Sequence, residues 1–249
     1  MLVAASTDCY KQLGFQDAIQ KLVDLEYSMV DVVLCEDGNQ IKPSMVHENL
    51  EEAITLCTNT LRLGVVSYDV RINATGELFY EQFTSICKLA KATRVVSISI
   101  PSAELGTPFN QEVEHLQKLV RIAETDGIVV SLKNQIGCLT EDPDTVSVLC
   151  NNVDGLKICL DISQYQCGPY VAKGYDKLLP HINHAILRDA SDEEFQVRVG
   201  QGVVDYSRLV NQLGKQGYRR ALSVQLDELP EVEHDPEMRK MRLLLESML

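Results

Sequence analysis

The feature that most constrains this chain is an eightfold alternation of short β-branched runs with longer segments of helical periodicity. In the longer segments apolar residues recur at steps of three and four, so each segment would lay one apolar face on a sheet. This alternation predicts βα units around a parallel sheet. The predicted strands are Leu2–Ser6, Met29–Leu34, Leu61–Tyr68, Arg94–Ile100, Gly127–Leu132, Gly155–Leu160, His184–Leu187 and Ala221–Leu226.

Eight such units in 249 residues fit a single barrel, because a (β/α)₈ barrel needs roughly 250 residues. No linker rich in Pro, Gly or Ser divides the chain. We therefore predict an α/β protein with one domain over residues 1–249, a (β/α)₈ TIM barrel closed by a C-terminal capping helix. The predicted helices are Phe15–Leu25, Leu50–Thr58, Phe79–Ala90, Gln111–Glu124, Asp144–Cys150, Ala172–Leu179, Tyr206–Gln216 and Pro236–Met248.

Charge and cysteine usage exclude several classes of function. The net charge of −13 repels phosphate backbones, and no stripe of Lys and Arg offsets it, so nucleic-acid binding is not expected. No apolar run approaches the roughly 18 residues of a membrane span. The eight cysteines form no CxxC pair and suit reduced, buried thiols, which predicts a cytoplasmic protein.

In a parallel barrel the carboxyl ends of the strands meet at one mouth, so polar residues there are the first candidates for a site. Four predicted strand ends carry such residues. They are Lys133-Asn134-Gln135, Asp161-Ile162-Ser163-Gln164, Arg188-Asp189 after the strand that opens with His184, and Gln225-Leu226-Asp227-Glu228.

Several short motifs follow one another in the second half of the chain. They are Leu187-Arg188-Asp189, Gly200-Gln201-Gly202-Val203-Val204-Asp205, Gly217-Tyr218 and Asp235-Pro236-Glu237. In this order and spacing they resemble the xylose isomerase-like barrels, which include sugar epimerases and relatives of endonuclease IV. The resemblance is strongest from Gly127 to the C-terminus, and it implies descent from sugar phosphate isomerases or epimerases.

The resemblance also implies where a divalent metal would be bound. In the family one Glu, one Asp, one His and a second Glu typically hold it, and two of these carboxylates act as acid and base. The matching positions here are Lys133, Asp161, Ile186 and Gln225, so only Asp161 keeps a ligand. Divalent ions need anionic oxygens and imidazole to offset their dehydration. We therefore expect no metal site and no other cofactor.

Two hypotheses for function remain open at this point. In the first, the barrel has lost metal-dependent catalysis and either binds a small sugar, polyol or related polar metabolite or serves as a non-catalytic member of an operon or complex. In the second, it is an active metal-independent sugar (phosphate) isomerase, epimerase or lyase, in which Lys133 serves as base, enolate stabiliser or Schiff-base nucleophile and Asp161 sets its charge state. A purely structural alternative is a buried Lys133–Asp161 ion pair that fills the site.

Six further residues are candidates for binding the metabolite. The amides Asn134, Gln164 and Gln225 suit hydroxyl groups, although such residues also cap loops. His184 is either a hydrogen-bonding group at the mouth or a satisfied core histidine. Arg188 and Arg198 are candidate anion ligands, and a loop-fixing ion pair is the structural alternative. The sequence gives no indication of an oligomer.

Overall fold

The computed structural model describes residues 1–249 and confirms the predicted barrel, with eight parallel strands that pair in sequence order and close between the first and the last. The strands are β1 (Leu2–Ser6), β2 (Met29–Cys35), β3 (Gly64–Arg71), β4 (Ser97–Ile100), β5 (Val129–Lys133), β6 (Lys157–Asp161), β7 (Ile182–Leu187) and β8 (Ala221–Val224).

Helices cover the outside of the barrel. They are α1 (Phe15–Asp24), α2 (Pro43–Glu48), α3 (Leu50–Thr58), α4 (Glu77–Ala92), α5 (Phe109–Glu124), α6 (Pro143–Asn152), α7 (Ile162–Gln166), α8 (Tyr206–Lys215) and α9 (His234–Glu246). The helix predicted over Ala172–Leu179 is wrong, because two 3₁₀ turns, Val171–Lys173 and Asp176–His181, occupy this segment. Gly174 lies between them with φ of 62°, a conformation that interrupts an α-helix.

Four strands begin later than the sequence pattern predicted. The predicted first residues have positive φ values, of 49° at Leu61, 61° at Arg94, 73° at Gly127 and 80° at Gly155. A left-handed residue commonly ends the preceding helix, so these positions belong to the turns that end the helices and not to strands. At the other end of β3, the strand extends three residues past its predicted end at Tyr68, to Arg71.

Side chains on the outer face of each strand pack against the helices. In β2, Val30, Val32 and Leu34 point outward and are buried in a core cluster of 60 residues. Since side chains alternate along a strand, Asp31 and Val33 point into the barrel. The hydrophobic core is therefore the layer between strands and helices.

The barrel interior is lined by small polar side chains, with buried serines at positions 67, 97, 99, 131 and 223. Asn183 donates hydrogen bonds to the hydroxyls of Ser97 at 2.7 Å and Ser131 at 2.8 Å. It lies at a register shift between β6 and β7. A serine side chain occupies little volume, so longer side chains on neighbouring strands can reach across the interior.

The C-terminal helix α9 is fastened to the first βα unit. Asp235 accepts hydrogen bonds from the Tyr10 hydroxyl at 2.7 Å and from Lys21 at 2.9 Å. Met238, Met241 and Leu245 bury the apolar face of the helix. The predicted C-terminal capping helix is thus present. Among the helices, none combines the length and apolarity that crossing a membrane requires.

Candidate functional site

A polar cavity of about 440 Å³ opens at the carboxyl ends of the strands. This mouth cavity contains all the site residues predicted from the sequence except His184 and Arg198. Its charged and amide lining residues are Asp8, Lys11, Asp69, Arg71, Asn73, Lys133, Asn134, Gln135, Asp161, Gln164, Arg188, Gln225 and Asp227.

Lys133, the last residue of β5, does not pair with Asp161 as the sequence interpretation assumed. Its ammonium donates a 2.7 Å hydrogen bond to Oδ2 of Asp69 on β3. The Asp69 side chain is 1% exposed and that of Lys133 is 12% exposed. The ion pair at the mouth therefore joins β5 to β3, across β4.

The Lys133–Asp69 pair continues into a longer chain of contacts. Arg71 donates from Nη2 to Asp69 Oδ2 at 3.0 Å and to Asp8 Oδ2 at 2.8 Å. Gln225 donates from Nε2 to the same oxygen of Asp8 at 2.7 Å. We call these five residues the mouth network, and it connects β5, β3, the loop after β1 and the end of β8.

The mouth network fixes the charge states of its members. Burial alone would raise the pKa of Asp69, but the ammonium of Lys133 and the guanidinium of Arg71 outweigh burial and lower that pKa to about 2. Burial alone would lower the pKa of Lys133, but the Asp69 carboxylate reverses this effect and the pKa is raised. At neutral pH the lysine is a cation and the aspartate an anion.

Asp161 belongs to a second group of charges on the other side of the mouth. Its Oδ1 accepts hydrogen bonds from the backbone N–H of Ser163 at 3.1 Å and from the Ser163 hydroxyl, so it caps α7. Its Oδ2 lies 3.3 Å from Nη2 of Arg188. Arg188 also contacts Asp227 at 3.4 Å and stacks on the Phe195 ring at 4.3 Å. Asp161 thus has an arginine partner, not a lysine one.

Two of the predicted amides are engaged with the backbone. Asn134 donates from Nδ2 to the Asp161 carbonyl at 2.8 Å and accepts from the Asp161 N–H at 2.7 Å. Gln164 accepts from the Ile136 N–H at 2.9 Å. Both side chains line the mouth cavity, and both hold the loops that follow β5 and β6.

His184 and Arg198 lie away from the mouth cavity. His184 is buried within the barrel, where its Nε2 lies 3.2 Å from Asp31 Oδ2 and 3.3 Å from the Ser67 hydroxyl. It is a core histidine with partners. Arg198 is 54% exposed, lies 3.8 Å from Glu237 and lines a separate shallow cavity.

The Arg188-Asp189 and Gly200-Gln201-Gly202 motifs form one loop structure. Asp189 Oδ2 accepts the backbone N–H groups of Gly200 at 2.6 Å and Gly202 at 3.1 Å. A Cβ on Gly202 would collide with the Asp189 carboxylate and with the Ala190 carbonyl. The geometry of this loop therefore explains why these two motifs occur together in the sequence.

The four positions that match the family's metal ligands do not fit a divalent ion. Lys133 places an ammonium there, Ile186 is a fully buried aliphatic side chain, and Gln225 turns its amide N–H toward Asp8. Asp161 offers one carboxylate that already interacts with Ser163 and Arg188. One engaged carboxylate among a cation, an alkyl group and an amide supplies too few anionic donors.

Three polar atoms at the mouth are buried and lack a hydrogen-bond partner within the protein. They are Oδ1 of Asp69, Nε of Arg188 and Oε1 of Gln225. Buried polar atoms are nearly always paired, so these two acceptors and one donor have unused hydrogen-bonding capacity next to the cavity.

Sequence analysis missed Asp8, Lys11, Asp69 and Arg71 as site residues. A signal for two of them was present, because Ser67, Asp69 and Arg71 alternate with apolar residues and so continue the inward face of β3. Asp227, which follows β8, pairs with Lys11 at 2.8 Å. Burial of the Asp227 carboxyl is outweighed by Lys11 and Arg188, which lower its pKa.

Comparison with known proteins agrees with this architecture. The sequence model of the family described as xylose isomerase-like TIM barrel matches residues 19–244. Among curated proteins, none matches this sequence.

Three solved structures illustrate the similarity. A xylose isomerase-like TIM barrel protein from Mycobacterium smegmatis in complex with magnesium is 14% identical, with a TM-score of 0.79 over 100% of this chain and 98% of that one. A D-tagatose 3-epimerase-like protein is 16% identical, with a TM-score of 0.75 over 100% and 98%. A 3-keto-D-glucoside 4-epimerase from E. coli is 13% identical, with a TM-score of 0.74 over 99% of both chains. At these identities the likeness shows the fold.

Proposed function

Because this chain belongs to the xylose isomerase-like TIM barrel family, we propose that its mouth cavity binds a small polyhydroxylated metabolite, a sugar or polyol, without divalent-metal-dependent catalysis. The observation that carries the proposal is the 2.7 Å contact between Lys133 and Asp69. It places a fixed cation at a strand end where the family pattern has a metal-binding carboxylate.

The unpaired atoms at the mouth support a hydroxyl-rich ligand. A hydroxyl group both donates and accepts hydrogen bonds. With a small side-chain movement that exposes these atoms, a polyol can donate to Oδ1 of Asp69 and Oε1 of Gln225 and accept from Nε of Arg188. The charged residues of the cavity are already paired with one another, which favours an uncharged ligand over a strongly charged one.

The alternative of lysine-based chemistry has less support. A lysine that acts as a base or a Schiff-base nucleophile at neutral pH needs a lowered pKa, because only the neutral amine has a free electron pair. Asp69 instead raises the pKa of Lys133 and holds its proton. Borohydride trapping with keto-sugars should therefore give no adduct at Lys133.

The proposal is tested by calorimetric titration of sugars, polyols and their phosphates, and separately of Mn²⁺ and Zn²⁺, into the purified protein. We expect binding of at least one uncharged polyol and no stoichiometric metal binding. Gln225→Met should weaken polyol binding by about tenfold or more, since it removes a buried amide that faces the ligand. Arg198→Ala, which alters an exposed side chain outside the cavity, is the matched control.

Tight binding of one metal ion per chain, or polyol binding that Gln225→Met leaves unchanged, would contradict the proposal.

For the compartment we propose the cytoplasm, with support from eight unpaired cysteines, six of them buried.

A further inference from the structure

A second cavity, of about 620 Å³, lies beside the mouth cavity between α4 and α5. We call it the side cavity. Ile72, just after β3, and Pro101, just after β4, line both cavities, so these two side chains form the wall between them. The two cavities are neighbours on the same end of the barrel.

The walls of the two cavities differ in chemistry. Three rings line the side cavity, those of Phe79, Tyr80 and His115. The Phe79 ring centroid lies 5.5 Å from that of Tyr80 and 5.1 Å from that of His115, in edge-to-face arrangements. Edge-to-face clusters leave ring faces and edges that accept a further aromatic ring.

The aromatic wall is uncharged at neutral pH. Burial, assisted by the nearby Lys118 ammonium, lowers the pKa of His115, so its imidazole is neutral. Its Nδ1 shares a 2.9 Å hydrogen bond with the Tyr80 hydroxyl. The charge of Lys118 is engaged by Glu77 at 3.2 Å and by the face of the Tyr80 ring. None of the three rings carries a net charge that would select for a charged group.

The opposite part of the side cavity is held in place by Glu112. Its carboxylate accepts the Ala103 N–H at 3.0 Å and so fixes the loop that follows β4. The cavity is therefore supported by a helix pair on one side and a fastened loop on the other. Its volume is within the range of sites that enclose a small organic group, about 300–1,000 Å³.

We propose that the side cavity receives an aromatic substituent of the same ligand whose polyhydroxylated part occupies the mouth cavity. This rests on the proposed function and narrows the ligand class from a simple sugar or polyol to an aryl-substituted one. The shared lining residues Ile72 and Pro101 support this, because a ligand that extends past these two side chains contacts both cavities.

Matched pairs of methyl and phenyl glycosides, in the gluco, galacto and xylo series, test this proposal by calorimetric titration. For at least one pair we expect the phenyl compound to bind at least about tenfold more tightly than the methyl compound, because binding in the side cavity removes the apolar surface of the phenyl ring from water. Phe79→Ala should remove most of that difference while methyl glycoside binding stays unchanged. Leu78→Ala, one residue earlier on α4, 45% exposed and outside the cavity, is the control.

A second variant covers the case in which Phe79→Ala does not fold. Ala103→Leu places an alkyl group inside the side cavity and keeps the backbone hydrogen bond to Glu112, so it should also remove the phenyl advantage. Equal binding of methyl and phenyl partners, or a phenyl advantage that survives both variants, overturns the inference. If a free sugar or polyol binds but no phenyl glycoside does, the inference is overturned and the proposed function stands. If no sugar, polyol or glycoside binds, the proposed function fails and the inference fails with it. Titration of phenol, followed by chemical-shift changes around Phe79 and His115, should show binding in the side cavity, and the absence of such changes also overturns the inference.

Discussion

Lys133 reaches Asp69 at 2.7 Å although the two residues lie on strands that are not neighbours. Between β3 and β5 runs β4, where Ser99 is in register with Asp69 on one side and with Ser131 on the other. A serine at this inward position leaves room for the lysine side chain to pass over it. The interior serines and the mouth network are thus parts of the same arrangement.

Breaking this ion pair should destabilise the protein. Lys133→Met leaves a buried carboxylate with Arg71 as its remaining cation, so we expect the free energy of unfolding to fall by about 2–4 kcal/mol. Lys91→Met, which breaks a pair whose lysine is 62% exposed, should cost less than about 1 kcal/mol. Urea unfolding of both variants measures the contrast.

A double variant tests whether the loss of stability comes from the interaction between Lys133 and Asp69. In Lys133→Met with Asp69→Asn, neither partner is left as an unpaired buried charge, so the combined loss should be smaller than the sum of the single losses by at least about 1 kcal/mol. Additive losses would mean that the two side chains are not energetically coupled.

The same carboxylate gives the protein a specific acid sensitivity. The pKa of Asp69, about 2 in the folded state, lies below the value of about 3.9 expected in the unfolded chain. A lowered pKa stabilises the fold above the unfolded value, and this stabilisation disappears as the pH falls toward the folded value. The contribution is complete at neutral pH and amounts to roughly 2–3 kcal/mol.

Asp69→Asn provides the comparison, because an amide does not titrate. The difference in free energy of unfolding between the wild-type protein and this variant should be constant from pH 7 to about pH 5 and should shrink between about pH 4 and pH 2. Urea unfolding at half-unit intervals of pH measures it. A difference that stays constant down to pH 2 would show that Asp69 is not held ionised by its neighbours.

The barrel could be predicted from the sequence because its signal is repeated eight times, and an error at one strand end does not change the topology. The site was harder to predict. The prediction that β3 ends at Tyr68 left Asp69 and Arg71 in a loop. Lys133 was then considered with Asp161, the one acid at the positions that match the family's metal ligands. Which charges pair depends on contacts across the barrel, between residues 64 positions apart, and local periodicity carries no information about them.

The loop after β7 requires a residue without a Cβ at position 202. Gly202→Ala would place a methyl group against the Asp189 carboxylate and the Ala190 carbonyl, both of which are held in place. We expect a loss of about 1–3 kcal/mol in free energy of unfolding. Gly38→Ala, with open space around the new methyl group, should change stability by less than about 0.5 kcal/mol. Similar losses in both variants would contradict this account of the motif.

If the side chains at the four matching positions prevent metal binding, replacing them with the family's ligand types should make the protein bind a divalent metal. Lys133→Glu, Ile186→His and Gln225→Glu, together with the native Asp161, give three carboxylates and an imidazole at the matching positions. Without metal this triple variant should be less stable than the wild-type protein, because new carboxylates would stand near Asp69 and Asp8. With Mn²⁺ in large excess over its dissociation constant, we expect its Tm to rise by about 5–10 °C.

The wild-type protein and the pair Lys133→Glu with Gln225→Glu are the two comparisons for this experiment. The wild-type Tm should not respond to Mn²⁺, because the ammonium of Lys133 occupies the position of a ligand. The double variant, which keeps Ile186, should respond less than the triple variant, because an alkyl group cannot replace the imidazole. An equal Tm increase in all three proteins would show that the metal binds elsewhere. No response in the triple variant would contradict this account, because the family's four ligand types would then be present without binding the metal.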